Sequence, residues 1–442
     1  MSPSQASELQ TGLDEAEALR AAGQHEQAGR RLHQLAVRFP GNAEIRFRLG
    51  QIAANRGDLD GCRTELEQAV ESDAENPAYL VRLGNVCERL GDAQSARAAY
   101  ERAIAIDSKQ VAACIRLVEI YLAAGEQLAA VDMAQRIVLV QGPVAPMLSD
   151  TRLPPALRRS LQRIRNLLRD KYQQLIDETR SYIDSKYEPG EVSNLHRALD
   201  HLGSPAPTGQ PLHRPEFLYY PGLDNQPWFD TGDWTWLQPL HDNWREIRDE
   251  FLDLPRDSSA FAPYIVQTDS AQTLQGTDFS TLAGSRDWSA YHLNKAGWLE
   301  DKCARVPRTA AIVKQMPLAT ARGYMPEVFF SVLAPGTEII PHYGQTNIRL
   351  TVHLGLIIPE ECGIRVADET RHWQEGQILA FDDSFEHAAW NRSEQDRVVL
   401  IFEAWHPGLS AAEIDGLQHF FVTRAEWLSR FDDLDLPSGS HA

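Results

Sequence analysis

Two histidines and an arginine late in the chain have the types and spacing to do chemistry. His342 closes the run "TEIIPH", and His387 follows "GQILAFDDSFE". Neutral imidazole is the commonest side-chain ligand for mid-series metal ions. Arg397 lies ten residues beyond His387 and opens the apolar run "RVVLIFEAWH". A buried guanidinium there could grip a carboxylate through two parallel hydrogen bonds. The usual pattern has a gap, however. A non-haem iron site of two histidines and one carboxylate opens with a His followed two residues later by Asp or Glu. Here Gly344 stands at that place.

Short β-rich runs would position these residues. From Glu327 onward "EVFFSVL", "NIRLTVHLGLII", "IRVADE", "GQILAFDD" and "RVVLIFEAWH" alternate with turn signals such as "APGT" and "PEECG". Strands at this spacing predict a sandwich, barrel or jelly roll. In "IRLTVHL", Ile348, Leu350, Val352 and Leu354 share one face, and Arg349, Thr351 and His353 share the other. Alternation alone does not decide whether the second face meets solvent or a cavity. The pattern by itself favours solvent.

The first third of the chain is a repeat. Gly23, Gly57, Gly91 and Gly125 lie 34 residues apart, as do Ala28, Cys62, Ala96 and Ala130. Leu49, Leu83 and Leu117 keep the same step. A 34-residue period with paired helical patterns is the signature of tetratricopeptide repeats. Residues 8–140 are therefore expected to form an all-α solenoid, with three good copies and a degenerate first one. Such arrays bind peptides or partner proteins on a concave face.

Residues 141–205 read as a connector. "QGPVAPMLSDTRLPP" breaks the repeats, and a long helix carries Leu157, Leu161, Ile164, Leu168, Tyr172 and Ile176 on one face. "HLGSPAPTGQPLHRP" is a Pro/Gly-rich linker. Residues 206–430 form the β-rich domain.

Composition excludes several classes. The net charge of -19 offers no basic footprint for nucleic acid and no polybasic membrane anchor. No apolar run approaches the roughly 20 residues of a spanning helix, and the N-terminus lacks the pattern of a signal peptide. Five scattered cysteines without a CxxC pair give neither a zinc ribbon nor a disulfide scaffold. A reducing, cytoplasmic setting is expected.

The segments "FSVLAPGTEIIPHYGQTNIRLTVHLGLIIP", "CGIRVADETRHWQEGQILAFDDSFEHAAWN" and "RVVLIFEAWHP" resemble the catalytic domain of the aspartyl/asparaginyl β-hydroxylase family. The likeness covers about 80 residues from Phe329 to Pro407 and extends more weakly to "YYPGLDNQPWFD". It implies a double-stranded β-helix, or jelly roll, with flanking helices. It also implies a dioxygenase that uses Fe(II), 2-oxoglutarate and O2 and releases succinate and CO2. That family binds iron with two histidines and no carboxylate, with glycine at the vacant position. Carried over by residue, His342 and His387 would be the metal ligands. Ser331, His353 and Arg397 would contact 2-oxoglutarate, and Arg349 would bind a substrate carboxylate. Thr351 departs from the mammalian-type pattern, which has a second arginine there.

The implied substrate is an Asp/Asn-type residue of a peptide or protein, or an amino-acid-like molecule, with the repeats as recruiter. Two other readings stand beside it. One is a hydroxylase of a lipid or small molecule. The other is a repeat-based scaffold whose jelly roll is not catalytic. Asp382, Asp383 and Glu386 are candidates for orienting His387, and His406 is read as structural rather than as a third ligand.

Overall fold

The computed structural model describes residues 2–202, 208–215, 217–255, 260–265, 279, 281–295, 297–322 and 326–434. Positions 203–207 of the predicted linker lie outside the described residues. The chain divides into two compact units, Met1–Lys171 and Tyr172–Ala442.

In the first unit, helices pair in sequence. Pro3–Ala21 precedes His25–Arg38, Ala43–Asn55 precedes Leu59–Ser72, Pro77–Arg89 precedes Ala93–Ile106, and Val111–Ala123 precedes Gln127–Gln141. The periodic glycines occupy the turns within pairs. Gly23, Gly57, Gly91 and Gly125 have φ of 74, 79, 78 and 77°, a left-handed conformation that side chains resist. Asp58 and Asp92 then cap the second helices through the N–H groups of Gly61 and Ser95.

The small periodic residues mark close helix approaches. Ala28, Cys62, Ala96 and Ala130 are at most 1 % exposed. A Cβ on Gly84 would lie 2.6 Å from the Tyr100 ring. Ion pairs repeat with the same period: Arg63 meets Glu67 and Asp92, and Arg97 meets Glu101 and Glu126. Such partly exposed pairs each contribute at most about 1 kcal/mol. Apolar packing therefore sets the register, and the ion pairs trim it.

The predicted long helix spans Pro155–Asp184, and Leu161, Ile164, Leu168 and Ile176 of its stripe are buried. Within the first unit, Ser160 donates to Glu119. Within the second, the Tyr182 and Tyr187 hydroxyls and the Lys186 ammonium converge on Asp415.

The second unit is built on β1 (Trp228–Phe229), β2 (Ala262–Pro263), β3 (Trp288–Lys295), β4 (Glu327–Leu333), β5 (Thr337–His342), β6 (Arg349–Ile357), β7 (Cys362–Val366), β8 (Glu369–Arg371), β9 (Ile378–Phe381), β10 (His387–Asn391) and β11 (Arg397–Trp405). One sheet has the order β1-β9-β6-β11-β4-β3-β2, and the other β5-β10-β7-β8. All pairings are antiparallel. The last eight strands divide four and four between the sheets, the layout of a jelly roll.

Alternation along each strand makes two cores. Leu350, Val352 and Leu354 of β6 pack with Phe330, Leu400 and Phe402 against Leu240, Ile247 and Phe251 of the helix Gln238–Leu252. The opposite face meets the smaller sheet, where Leu333, Phe381 and Val399 contact Ile339, Ile364 and Val366. Thr351 and His353 are buried, and Arg349 is nearly so, with 12 % of its side chain exposed. The solvent-facing reading of that face is thus corrected. Both faces of β6 are covered, one by helices and one by a second sheet, and a period of two cannot distinguish that from one wet face.

Candidate metal and carboxylate site

The two histidines meet where the smaller sheet ends. His342 ends β5, His387 begins β10, and they are cross-strand partners. Their ring centroids lie 4.0 Å apart. Each Nδ1 lies 2.9 Å from the carbonyl oxygen two residues upstream, of Ile340 for His342 and of Phe385 for His387. A carbonyl only accepts, so each neutral ring carries its proton on Nδ1 and keeps a lone pair on Nε2. Burial, reinforced by His387, pushes His342 down to about 3, and burial pushes His387 down to about 4. Both rings are therefore neutral at neutral pH, the state in which imidazole ligates a metal. Among the described residues no cluster of three or more His, Cys, Asp or Glu groups is placed to hold a metal.

A second cluster lies on the facing sheet. Arg397 is 2 % exposed, its Nη1 donates to Ser331 Oγ at 3.3 Å, and its guanidinium sits 4.9 Å over the Trp373 ring. Its Nε has no hydrogen-bond partner, and no carboxylate among the described residues pairs with it. Burial pushes its pKa down to about 10. A buried charge left this way is costly unless a ligand completes it. Ser331 Oγ also accepts from Trp288 Nε1 at 3.2 Å, so its own O–H remains to be donated.

His353 has the opposite tautomer from the first pair. Its Nδ1 accepts from Trp373 Nε1 at 3.3 Å. Indole only donates, so the imidazole proton sits on Nε2. Burial and the neighbouring Arg397 hold the ring neutral. The Phe381 ring lies 5.0 Å from His353 and 5.8 Å from His387, between the two clusters. The inner face thus carries two Nε2 lone pairs near three donors: the Arg397 guanidinium, the Ser331 hydroxyl and the His353 N–H. The first set fits a divalent metal, and the second fits a carboxylate.

Arg349 is already engaged. Its Nη1 lies 2.6 Å from Glu403 Oε1, and its Nη2 lies 3.6 Å from Asp383 Oδ2. Glu403 also accepts the Glu327 N–H at 2.9 Å. Burial pushes Glu403 up to about 7 against the pull of Arg349. Thr351 is Glu403's cross-strand partner.

None of the acids expected to orient His387 bonds its ring through its carboxyl group. Asp382 accepts from the Ser384 hydroxyl at 2.5 Å and from the Ser384 N–H at 2.9 Å. The Ser384 oxygen is 2.9 Å from His213 Nε2. Glu386 holds Arg365 and the Tyr343 hydroxyl. His213 anchors a short bridge in which Arg214 N–H donates to Ser384 O and Glu386 N–H donates to Leu212 O. That bridge fixes the turn leading into His387. His406, read as structural, has its Nδ1 accepting the Gly408 N–H and its Nε2 3.2 Å from the Asp224 carbonyl oxygen. Sequence reasoning missed His213, Trp373 and Trp288. Their polar partners lie 171, 20 and 43 residues away, and no local spacing marks them.

The two-sheet β domain thus brings a pair of neutral histidines beside a buried arginine. Residues 241–407 match the aspartyl/asparaginyl beta-hydroxylase family model, and residues 19–82 and 63–111 match tetratricopeptide repeat models. The chain thus joins tetratricopeptide repeats to an aspartyl/asparaginyl beta-hydroxylase domain. It is 38% identical over 196 residues to the aspartyl/asparaginyl beta-hydroxylase of Mus musculus, covering 43% of this chain and 24% of that protein. It is 29% identical over 241 residues to aspartate beta-hydroxylase domain-containing protein 2 of Homo sapiens, covering 54% and 63%. It is 33% identical over 202 residues to the ornithine lipid ester-linked acyl 2-hydroxylase of Rhizobium tropici, covering 44% and 66%. The match therefore spans about a quarter of the mouse enzyme and under two thirds of the human domain-containing protein. Among solved structures, MamA aligns with a TM-score of 0.28 and 19% identity, over 36% of this chain and 95% of that one.

Proposed function

We propose that this chain is an Fe(II)- and 2-oxoglutarate-dependent hydroxylase acting on the β-carbon of an Asp- or Asn-type residue in a peptide or protein. The observation that carries the proposal is Arg397, a buried guanidinium without a carboxylate partner among the described residues, beside two histidines whose Nδ1 atoms are turned to backbone carbonyls.

His342 and His387 would hold the iron. Arg397, Ser331 and His353 would hold a carboxylate of 2-oxoglutarate through the donors described above. Bound iron, with 2-oxoglutarate and O2, supplies the oxidant that hydroxylates an unactivated carbon, with succinate and CO2 as co-products. The protein's own tasks are to bind, orient and exclude water. The two backbone carbonyls fix the tautomers of His342 and His387, so each presents a lone pair without a carboxylate to orient it. Trp373 serves two residues at once, stacking under Arg397 and fixing the His353 tautomer. Phe381 and Trp373 line the gap with apolar surface, which strengthens each charged contact inside it.

The repeats would recruit the protein substrate, as such arrays bind peptides. All five cysteines are free and buried, which supports a reducing compartment such as the cytoplasm. The Rhizobium tropici relative is named for a lipid substrate, so an acyl chain is the second reading. Among the described residues no helix is long and apolar enough to cross a membrane.

Anaerobic titration with Fe(II) and 2-oxoglutarate tests the proposal. A weak visible charge-transfer band is expected in the native protein and not in His342→Ala or His387→Ala. A folded protein that gives no band under saturating iron overturns the reading. Succinate release driven by peptides but not by acyl lipids then separates the two substrate classes.

A further inference from the structure

We propose that the exposed face of the long helix Pro155–Asp184 docks on an anionic phospholipid surface, with its arginines against the headgroups. The proposal stands apart from the hydroxylase reading and concerns only the part of that helix inside the first unit.

The charge of this stretch is opposite to that of the chain. Residues 151–171 carry seven basic residues and one acid, in a chain of net charge -19. Arg159, Arg163, Arg165 and Arg169 are exposed. Helix geometry sets them in two rows, Arg159 with Arg163 and Arg165 with Arg169, each pair four residues apart. Gln162 and Asn166 lie exposed between the rows. The opposite face belongs to the protein's own core, where Leu161, Ile164, Leu167 and Leu168 are buried. The helix thus has no apolar side left to enter a bilayer, and its contact would be with headgroups alone.

The repeats show what this helix lacks. There, arginine and glutamate stand four apart and pair, as Arg48 does with Glu44, Arg63 with Glu67 and Arg97 with Glu101. In the long helix the same spacing sets arginine beside arginine twice, an arrangement that weakens a helix. Arg163 meets Glu119, and Arg169 meets its own neighbour Asp170, yet their side chains stay 60 and 70 % exposed. Arg159 and Arg165 form no ion pair among the described residues. Each row thus keeps one arginine whose charge nothing in the described structure answers, and an external anion would answer both.

The shape of the face selects the source of that anion. Peptides are held by grooves and sheet edges. This is the convex side of one helix, with about 15 Å between Arg159 and Arg169. A sheet of phosphate groups meets several such guanidiniums at once, each donating through its planar fork. The chain-wide charge predicts no membrane anchor because it averages this stripe away. Screening at about 0.1 M salt acts over about 10 Å, so the arginines facing the lipid outweigh acids farther off.

The test is co-sedimentation of the full chain with vesicles of phosphatidylcholine, alone or with about one third phosphatidylglycerol, at about 0.1 M and about 1 M salt. Binding to the anionic vesicles at the lower salt is expected to exceed binding to the neutral ones at least tenfold, and to disappear at the higher salt. Arg159→Gln/Arg165→Gln/Arg169→Gln should weaken it at least tenfold, with helical circular dichroism unchanged and the urea midpoint unchanged or raised. Arg163 is left in place because it holds Glu119. The control Arg30→Gln/Arg322→Gln/Arg392→Gln removes the same charge from sites elsewhere, where 68, 70 and 63 % of the side chains are exposed. It should change binding by less than about twofold. A native protein that ignores anionic vesicles overturns the proposal, as does a control that loses as much as the helix variant. So does soluble polyglutamate held more tightly than the vesicles at equal charge, which would name an acidic protein as the partner.

Discussion

The carboxyl group of Asp383 fills the space that a side chain at Gly344 would need. A Cβ on Gly344 would lie 2.2 Å from Asp383 Oδ1 and 2.4 Å from its Cγ. The Gly344 N–H donates to the Asp383 carbonyl at 2.6 Å, which pins the two backbones together. The acid missing two residues after His342 is therefore not simply absent. A carboxyl group from the turn before His387 takes up that volume, and glycine is what lets it in.

Restoring the familiar carboxylate at this position should fail. Gly344→Ala is expected to cost about 1–3 kcal/mol in chemical denaturation through overpacking, and Gly344→Asp more. Adding Asp383→Ala to Gly344→Ala should recover much of the loss. A Gly344→Asp protein with native stability would show that the turn yields easily and that the close approach is incidental.

Arg397 should cost stability in the ligand-free protein while being required for the ligand. Arg397→Met removes a buried charge with no acidic partner among the described residues and is expected to stabilise the ligand-free fold by about 1–4 kcal/mol. The same change should abolish 2-oxoglutarate binding. Arg397→Lys keeps charge but loses the planar fork, so the Kd for 2-oxoglutarate should rise at least tenfold, about 1.4 kcal/mol. Fe(II) binding should stay within about twofold in both, since His342 and His387 are untouched. Destabilisation by Arg397→Met in ligand-free urea melts would contradict this account.

What the sequence disclosed and what it hid have physical reasons. The 34-residue period was plain because each repeat needs glycine at one turn and a small residue at one crossing, and Gly57 and Cys62 show both. The strands "EVFFSVL" and "TEIIPH" coincide with β4 and β5 because turn residues bracket them. The burial of Arg349, Thr351 and His353 was hidden, since a polar stripe reads alike against water and inside a lined cavity. The tautomers were hidden too. They depend on the Ile340 and Phe385 carbonyls and on Trp373, and no residue-type pattern specifies a carbonyl's direction. That Arg349 is engaged by Glu403 follows from β6 lying beside β11, a pairing across 54 positions that local spacing does not encode.

Two glycines of the repeats should respond differently to the same change. A Cβ on Gly84 would meet Tyr100 ring atoms at 2.6–2.8 Å, and that ring is tethered by hydroxyl bonds to Asn85 and Glu88. A Cβ on Gly50 would meet Leu66 Cγ at 3.2 Å, a contact a small shift can relieve. Gly84→Ala should therefore destabilise the repeats by about 1–3 kcal/mol. Gly50→Ala should be near neutral or stabilising, because alanine favours the helix by about 1 kcal/mol over glycine. Helical circular dichroism during urea unfolding of the full chain measures both. Equal midpoints would mean that the Tyr100 ring moves freely.

Acid should unfold the metal-free domain through its buried neutral histidines. Burial holds His213 at about 4 and His292 at about 3, against the ordinary 6.5. As pH falls through 6.5, the unfolded chain takes up a proton at each site that the folded domain refuses until about pH 4 or 3. Their contribution is thus fully present above pH 6.5 and lost as pH falls through the window between those values. Each such proton gives a slope of about 1.4 kcal/mol per pH unit. His213→Gln isolates one of them, because the amide can still donate to Ser384 but does not titrate. Urea stabilities in chelator at pH 7, 6 and 5 should fall steeply in the native protein and less steeply, by about one proton's slope, in the variant. A native curve flat across this window would mean that the buried rings accept protons in the folded state, and the neutral His213–Ser384–Asp382 arrangement would then be wrong.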